Sequence, residues 1–249
     1  MVNDIHIGTS GWSYKHWKED FYPKQLNQAE WLSFYAETFD VTEINTSFYR
    51  LPTRETIVNW MKIVPKKFRF CPKMSRFLTH MKKLNDPEEP LQRFFDVFKP
   101  MKKQMGPVLM QLPRMVKFKH EVAENLFKLL NRYYKSYEFV LEVRHPTWLE
   151  KEALHFLTKY RIGLVISQSG NQFPYAEMIT GKNIYVRFHG PESLYASSYS
   201  DKDLKLFAKK FRKWVKEGHE IWAFFNNDIH GYAPKDALRL ESFCTSGRL

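Results

Sequence analysis

Residues 108–144, VLMQLPRMVKFKHEVAENLFKLLNRYYKSYEFVLEVR, contain the repeating unit on which the fold depends. A short apolar run, Val108–Leu112, is followed by an amphipathic stretch, Glu121–Tyr134, and then by a second apolar run, Phe139–Arg144. Apolar residues at helical spacing in the middle segment predict a helix, and the flanking runs have the length and composition of buried strands. Parallel strands need a helical crossover of this kind, so the segment predicts a β-α-β unit.

The same alternation extends over the rest of the chain. Other strand-like runs lie at Ile5–Gly8, Val41–Ser47, Phe68–Lys73, Gly163–Ser167, Ile184–His189 and Ile221–Asn226, which makes eight in all. Other amphipathic stretches lie at Gln28–Glu37, Arg54–Ile63, Glu88–Gln104, Trp148–Tyr160 and Ser200–Glu217. This α/β pattern predicts one (β/α)8 TIM-like barrel domain over residues 1–249, with its core at about residues 4–243.

A doubly wound open sheet is the alternative architecture. Neither a GxGxxG motif nor a P-loop follows any predicted strand, so the usual nucleotide-binding signatures of that architecture are missing. No glycine-rich or serine-rich linker divides the chain, and Thr53 and Ser200 are placed to cap the helices that follow them. The sequence therefore favours a closed barrel.

The barrel is expected to be irregular around strands six to eight. Residues 168–183, between strands six and seven, contain Gly170, Pro174 and Gly181 instead of an amphipathic stretch. The helix predicted after Tyr232 is short. Both features weaken the regular alternation in this part of the chain.

The charge balance suggests anionic partners. Lysine and arginine outnumber aspartate and glutamate by 39 to 27, which gives a net charge of +12. Such an excess attracts phosphates, nucleic acids and other anions. Part of it lies in residues 209–216, where basic residues recur at the spacing typical of a solvated helix face. An anionic small molecule and a nucleic acid both stay open as partners.

Cysteine usage and hydropathy indicate the compartment. The two cysteines, Cys71 and Cys244, form no CxxC pair, so neither a disulfide framework nor a zinc site is predicted, and Cys71 is expected in the core. The N-terminus has no leader-like segment and no apolar stretch is long enough to span a bilayer. We expect a cytoplasmic protein without membrane contact, while its cofactors and oligomeric state stay undefined.

Polar residues follow or end nearly every predicted strand. In a parallel barrel, the carboxyl ends of the strands and the loops after them form the active face. Side chains two residues apart on a strand share a face, and the outer face is covered by helices, so such polar pairs are predicted to point into the mouth. The pairs are Glu43 and Asn45, Glu142 and Arg144, and Arg187 and His189. The single candidates are Trp12, Tyr14, Lys73, Gln111, Asn226 and Asp228.

These residue types predict binding of negative charge combined with proton transfer. The catalytic candidates are Glu43, Glu142 and His189. The substrate-binding candidates are Trp12, Tyr14, Asn45, Lys73, Gln111, Arg144, Arg187, Asn226 and Asp228. The leading hypothesis is an enzyme of hydrolase or lyase type that acts on an anionic, phosphorylated or nucleotide-like substrate. Alternatively, Glu142 and Arg144 neutralise each other in a structural network, and the chain is a non-enzymatic ligand-binding scaffold.

A further hypothesis is a nucleic-acid-binding or DNA-repair-associated protein. It rests on the net charge of +12 and on aromatic residues near the predicted mouth, which can stack on bases or simply pack within loops. The aromatic residues are Trp12, Tyr14, Trp17, Phe48, Tyr49, Tyr195 and Tyr199. Binding to single strands that weakens steeply with salt would distinguish this hypothesis from the others.

The sequence does not predict a metal site, although suitable ligand residues are present. Carboxylate and imidazole ligand atoms are available, but no HxH or HExxH motif brings two of them together locally. The ligand atoms would come from Glu43, Glu142, His189 and Asp228.

Ordered motifs along the chain resemble those of the YecE-like family, uncharacterised proteins with a domain of unknown function and a TIM-barrel fold. The segments are GTSGWSY at 8–14, FYP at 21–23, EINTSFY at 43–49, Lys73 with Thr79 and His80, VLMQLP at 108–113, EVRH at 142–145 with Trp148, YVRFHG at 185–190 and FNND at 225–228. The resemblance implies a barrel with a shared pocket and names no substrate.

The chain departs from the family pattern at the end of strand six. The family often carries an acidic residue there, where this chain has Ser167, so a role of that acid is not carried over. Residues 244–249 match no family motif and are predicted to form a tail.

Overall fold

The computed structural model describes residues 4–246, which form parallel strands and surrounding helices. The strands are β1 (Ile5–Thr9), β2 (Val41–Ile44), β3 (Arg69–Pro72), β4 (Val108–Gln111), β5 (Phe139–Glu142), β6 (Gly163–Leu164), β7 (Ile166–Gln168), β8 (Asn183–Phe188) and β9 (Glu220–Phe225). The α-helices are α1 (Trp31–Thr38), α2 (Thr46–Tyr49), α3 (Arg54–Ile63), α4 (Glu88–Phe98), α5 (His120–Tyr133), α6 (Lys151–Lys159), α7 (Asp201–Lys216) and α8 (Tyr232–Thr245).

The strands follow one another around a TIM-like barrel. One sheet has the order β3-β2-β1-β9-β8-β7 and the other has the order β4-β5-β6. The two sheets meet between β3 and β4 and between β6 and β7. Just after β3, the backbone N–H of Met74 donates to the carbonyl of Leu109 in β4 at 2.8 Å. Only Val165 separates β6 from β7. Since β9 also pairs in parallel with β1, each strand lies beside its neighbours in sequence and the last lies beside the first. The predicted fold class is confirmed.

The irregularity predicted around strand six is also present. The sixth strand is split, so that β6 pairs with β5 while β7 pairs with β8. The chain between β7 and β8 contains no helix in the described structure. Instead the Thr180 hydroxyl accepts from the N–H of Leu164 at 2.8 Å and donates to the carbonyl of Ile162 at 2.6 Å. A side chain from the long loop thereby satisfies backbone groups at the start of β6.

The barrel interior is arranged in layers. One buried apolar cluster contains Val41, Cys71, Leu109, Val140, Val165, Tyr185, Trp222 and Phe224. Alternate residues of the same strands, such as Phe70 and Leu141, belong to the larger cluster that includes the surrounding helices. Because strand side chains repeat every two residues, positions two further along the chain also point inward, one level closer to the mouth. The polar candidates occupy that level.

Some predicted boundaries were wrong. Strand two ends at Ile44 instead of Ser47, because the Ser47 hydroxyl donates to the Ile44 carbonyl at 2.7 Å and α2 begins at Thr46. Asn45 consequently has helical backbone angles and is no longer part of the strand. The predicted helices over residues 28–37 and 88–104 contain 3-10 turns at residues 28–30 and 99–104.

The C-terminal part of the chain also differs from expectation. The last helix, α8, has 14 residues and is not short. Cys244 lies inside this helix and not in a tail, since the apolar side of α8 packs on the barrel through residues such as Ala237 and Leu240. Residues 247–249 of the predicted tail lie outside the described residues. Between residues 4 and 246, no helix has the length and apolar composition needed to cross a membrane.

Candidate functional site

A buried guanidinium group joins two carboxylates at the mouth of the barrel. Arg187, in β8, donates from Nε and Nη2 to the two carboxylate oxygens of Glu43, each at 2.8 Å. Its Nη1 donates to Oε2 of Glu142 at 2.7 Å. The side chains of both glutamates are fully buried and that of Arg187 is 2% exposed. Residues far apart in sequence therefore meet in one ion-pair network, as the strand pairs predict.

Glu142 is the most heavily bonded member of this network. Besides Arg187, its carboxylate accepts from Arg144 at 2.5 Å, from the Ser167 hydroxyl at 3.0 Å and from His189 at 3.1 Å. Burial alone would raise its pKa, but the charges of Arg144 and Arg187 and the bond from His189 hold the pKa of Glu142 well below its usual value. Glu142 is an anion throughout the physiological range.

His189 is held in its neutral form. Burial lowers the pKa of this histidine to about 4, although the neighbouring Glu142 opposes the shift. Nε2 lies 3.1 Å from Glu142 and Nδ1 lies 3.1 Å from the side-chain nitrogen of Asn226. Since carboxylates only accept and amide nitrogens only donate, Nε2 carries the proton and Nδ1 accepts. Both ring nitrogens are occupied, so the ring is suited to holding Glu142 in place.

Glu43 has a similar set of donors. The Tyr185 hydroxyl donates to it at 2.8 Å, in addition to the two bonds from Arg187, and Asn45 Nδ2 lies 3.4 Å away. Tyr185 was not among the predicted site residues. It is two residues before Arg187 in the same strand, so the spacing predicts that both side chains point into the barrel. The bond from Ser167 was also not predicted, because nothing in the sequence indicates that this hydroxyl faces Glu142.

Lys73 lies in the same layer, but its amine has no ion-pair partner among the described residues. Within residues 4–246 its amine makes no ion pair and no hydrogen bond, and it lies 4.2 Å from the centre of the Phe48 ring. Burial and the charge of Arg187 lower the pKa of Lys73 to about 7, against the opposing effect of the two glutamates. This amine is therefore free to contact a ligand and can exchange a proton near neutral pH.

Further basic side chains lie on the loops after β3, β4 and β5, and Arg144 is close enough to lower the pKa of Lys73. Burial and the charges of Lys73, Arg76 and Arg144 lower the pKa of His80 to about 4. The Phe173 ring lies 3.1 Å from the guanidinium carbon of Arg144 and 5.3 Å from that of Arg114. The Nε atom of Arg144 is buried and has no hydrogen-bond partner among the described residues. Phe173 comes from the long loop before β8, where the sequence offered no signal for it.

Trp12 and Tyr14 line a cleft that reaches the network, because Glu43 lines the same cleft. Trp12 packs edge-on against Trp60 at 5.1 Å, and the Tyr14 hydroxyl donates to the Ser10 carbonyl at 2.6 Å. The cleft has a volume of about 590 Å³, and Asn45 also lines it. Of the other aromatic candidates, Trp17 is fully buried, and Tyr49 is 73% exposed. Most of these aromatic residues pack within the loops.

Two of the predicted binding residues make their hydrogen bonds outside the network. Asp228 accepts a hydrogen bond from the Trp17 indole and lies 3.1 Å from His16, so it joins the loop after β9 to the loop after β1. Gln111 donates to the Leu112 carbonyl at 2.7 Å. The His145 ring accepts from the N–H of Thr147 at 3.3 Å, so it caps the turn that follows β5.

The four side chains considered as metal ligands do not form a common site in the described structure. Glu43 and Glu142 are joined by Arg187, while Asp228 is bonded to the β1 loop. Over the described part of the chain, no group of three or more histidine, cysteine, aspartate or glutamate side chains has a metal-binding arrangement.

The chain is similar to known proteins over most of its length. The family model described as "Protein of unknown function DUF72" matches residues 6–247. The chain belongs to the DUF72 family. UPF0759 protein YunF of Bacillus subtilis is 24% identical, and the match covers 95% of this chain and 93% of YunF. UPF0759 protein YecE of Escherichia coli is 28% identical over 147 residues, which are 59% of this chain and about half, 51%, of YecE.

Solved structures of DUF72 proteins have the same fold. A DUF72 family protein from Thermotoga maritima superposes with a TM-score of 0.84 at 29% identity, covering 96% of this chain and 98% of that one. A DUF72 family protein from Enterococcus faecalis superposes with a TM-score of 0.83 at 22% identity, covering 96% and 95%. The membership anticipated from the motifs is thereby confirmed, and the descriptions of these relatives assign no reaction.

Proposed function

We propose that this DUF72 protein is an enzyme that binds an anionic, phosphorylated small molecule at the mouth of the barrel. The observation that carries the proposal is the unpaired amine of Lys73 beside a network whose carboxylates are already satisfied. Because Glu43 and Glu142 balance the charges of Arg144 and Arg187, the positive charge of Lys73 adds to a neutral surrounding.

Two further arginines on the loops at the mouth add to this positive charge. Arg76 and Arg114 make no ion pair with any described carboxylate, although Arg114 donates to the carbonyl of Gln172 at 3.0 Å. A phosphate or carboxylate would replace the missing counter-charge through charge-assisted hydrogen bonds. The unpartnered Nε of Arg144 offers one more donor.

The geometry supports different roles from those first expected for the catalytic candidates. Glu43, Glu142 and His189 make their hydrogen bonds to one another and to the arginines, which suits positioning of Arg144 and Arg187. Lys73 is the better candidate for proton transfer, since a pKa near the working pH is the most effective value for an acid or base. A hydrolase and a lyase both use such a group.

The test is a binding and turnover assay with a panel of phosphorylated compounds. Inorganic phosphate, sugar phosphates and nucleoside monophosphates would be added to the purified protein, with thermal unfolding and phosphorus NMR as measurements. We expect at least one compound to raise the melting temperature and to be converted, because a ligand that binds only the folded state stabilises it. Lys73→Met should lose both effects.

Lys62→Met is the matched control, because Lys62 is exposed on α3 and away from the network. It should behave like the parent protein. If no member of the panel binds or reacts even at millimolar concentration, an enzyme for phosphorylated compounds is the wrong proposal.

A further inference from the structure

We propose that Lys73 is a nucleophile and forms an imine with the carbonyl carbon of an anionic aldehyde or ketone. This inference deepens the proposed function and rests on it, since it concerns the same mouth and the same anionic substrates. It narrows the substrate class to compounds in which a phosphate or carboxylate lies a few bonds from a carbonyl group.

The position of Lys73 in the barrel supports this role. It lies two residues beyond Cys71, a member of the apolar layer inside the barrel, so its side chain rises from that layer towards the mouth. The backbone at Lys73 is held on both sides: its N–H donates to the Ile44 carbonyl at 3.1 Å, and its own carbonyl lies 2.7 Å from the Ser47 hydroxyl, whose one proton is shared between this carbonyl and that of Ile44. The base of the side chain is fixed while its amine stays unbonded.

The groups that face the amine keep a large part of it unprotonated. Burial and the charges of Arg187 and Arg144 disfavour the ammonium form, while Glu142 and Glu43 favour it, and the resulting pKa is about 7. His80, on the loop after β3, lies close enough for Lys73 to lower the pKa of its ring, so it is neutral at the same pH. About half of Lys73 is then a free amine at pH 7, against fewer than roughly one in a thousand for an ordinary lysine.

The chemistry follows from this free amine. The nitrogen lone pair attacks the carbonyl carbon, a C–N bond forms and the oxygen takes a proton to give a carbinolamine. That proton comes from the attacking nitrogen, and the C=O π bond breaks as the C–N bond forms. The hydroxyl then leaves as water together with the second nitrogen proton, so a C=N bond replaces the C=O bond and the product is the imine. Protonated at nitrogen, the imine withdraws electrons from the adjacent carbon, so a bond to that carbon can break as in a lyase. No oxidant, reductant or metal takes part in these steps.

The surrounding cations explain why the carbonyl compound should be anionic. Arg144 has an unpartnered Nε, and Arg76 and Arg114 lie on the loops next to it without a described carboxylate partner. A phosphate or carboxylate held by these groups would bring its carbonyl carbon to Lys73 and raise the effective concentration of the reacting atoms.

The test is reductive trapping on the native protein. The protein would be incubated with pyruvate or with dihydroxyacetone phosphate, treated with sodium borohydride and mapped by peptide mass spectrometry. Hydride from borohydride converts the imine into a stable secondary amine at the lysine that formed it. We expect at least about tenfold more adduct at Lys73 than at any other lysine, because it is the lysine with the most free amine. Trapping should increase as the pH rises through about 7, following the pKa of Lys73.

Variants identify the lysine without relying on a single substitution. Lys73→Met and Lys73→Arg should both lose the adduct, and their circular dichroism and melting temperatures report whether they fold. Lys62→Met should keep it. The peptide map of the unaltered protein gives the same information if both Lys73 variants fail to fold.

The outcomes separate this inference from the proposed function. Adduct spread evenly over exposed lysines, or none at Lys73, would overturn imine formation. If inorganic phosphate still raises the melting temperature in that case, anion binding at the mouth stands and Lys73 acts by charge or proton transfer instead. If no compound of the phosphorylated panel binds or reacts either, both proposals are wrong.

Discussion

At the scale of single residues, Arg187 connects the two halves of the network. Its guanidinium is the shared partner of Glu43 and Glu142, which come from β2 and β5. Burial by itself lowers the pKa of an arginine, but the two carboxylates raise that of Arg187 above its ordinary value. A side chain whose three nitrogens all donate to buried carboxylates is better suited to holding the mouth together than to binding a substrate.

Replacing Arg187 tests this assignment. Arg187→Ala would leave two buried carboxylates without their main partner, and we expect it to lower the free energy of unfolding by about 3–5 kcal/mol. Urea denaturation followed by fluorescence measures the change. Arg76→Ala is the control, because Arg76 is exposed and makes no ion pair within the described chain, so its effect should stay within about 0.5 kcal/mol. A small loss for Arg187→Ala would instead favour a purely functional arginine.

Individual side chains were predictable only where strand spacing applies. The period of two identified Glu43, Glu142 and Arg187, because each stands two residues beyond a member of the apolar layer. The same rule does not reach Phe173, which stacks on Arg144 from a loop whose path has no repeating pattern. Strand spacing also does not show that Arg187 bonds to two carboxylates while the amine of Lys73 has no described partner, since ion pairs depend on where the partners lie in space.

At the scale of elements, the ends of the helices followed local rules. The Thr53 side chain accepts from the N–H of Thr56 at 3.1 Å and the Ser200 side chain accepts from the N–H of Asp203 at 3.2 Å, as the sequence predicted. The strand ends did not follow such rules, because β2 stops at Ile44, where the Ser47 hydroxyl lies 2.7 Å from the Ile44 carbonyl and also 2.7 Å from the carbonyl of Lys73, just beyond β3. Capping uses neighbours in sequence, whereas the end of a strand also depends on the strand beside it.

The cap of α7 is open to a direct test. Ser200→Ala removes an acceptor for an N–H group in the first turn of this 16-residue helix, and we expect a loss of about 1 kcal/mol in the free energy of unfolding. Chemical denaturation provides the measurement. Ser33→Ala, at an exposed position inside α1, is the control and should have little effect. Equal values for the two variants would mean that the Ser200 hydroxyl does not stabilise α7.

At the scale of the whole molecule, stability should decrease as the pH falls from 7 towards 4. The native pKa of His189 is about 4, below the ordinary value near 6.5, so the unfolded chain binds more protons between these values. The stability that the neutral His189 contributes is complete above about pH 6.5 and is lost progressively below it. For this residue alone we expect a loss of about 2 kcal/mol between pH 7 and pH 5, measured by urea denaturation at a series of pH values.

Variants assign the pH effect to its source. His189→Gln should be less stable at pH 7 but should have a flatter stability profile between pH 7 and pH 5. His80, whose pKa is also lowered to about 4, contributes in the same direction, so His80→Gln should remove a further part of the slope. An unchanged slope in the double variant would show that other groups control the acid sensitivity.

Part of the protein's excess positive charge lies on the outer surface and not at the barrel mouth. Lys209, Lys213 and Lys216 lie exposed on α7, as expected for a solvated helix face. Lys73, by contrast, lies in the interior layer at the barrel mouth. Binding to nucleic acid stays a prediction, and it would use the exposed lysines and not the enclosed amine.

The sequence by itself determined the alternation of strands and helices, the helix caps and the set of polar residues at the strand ends. These features depend on periodicity and on neighbours within a few residues, which the order of amino acids specifies directly. Only the tertiary structure decided that Arg187 is shared between Glu43 and Glu142 while Lys73 keeps a free amine. Charge pairing and burial depend on distances between strands that are far apart in the chain, and closure of the barrel sets those distances.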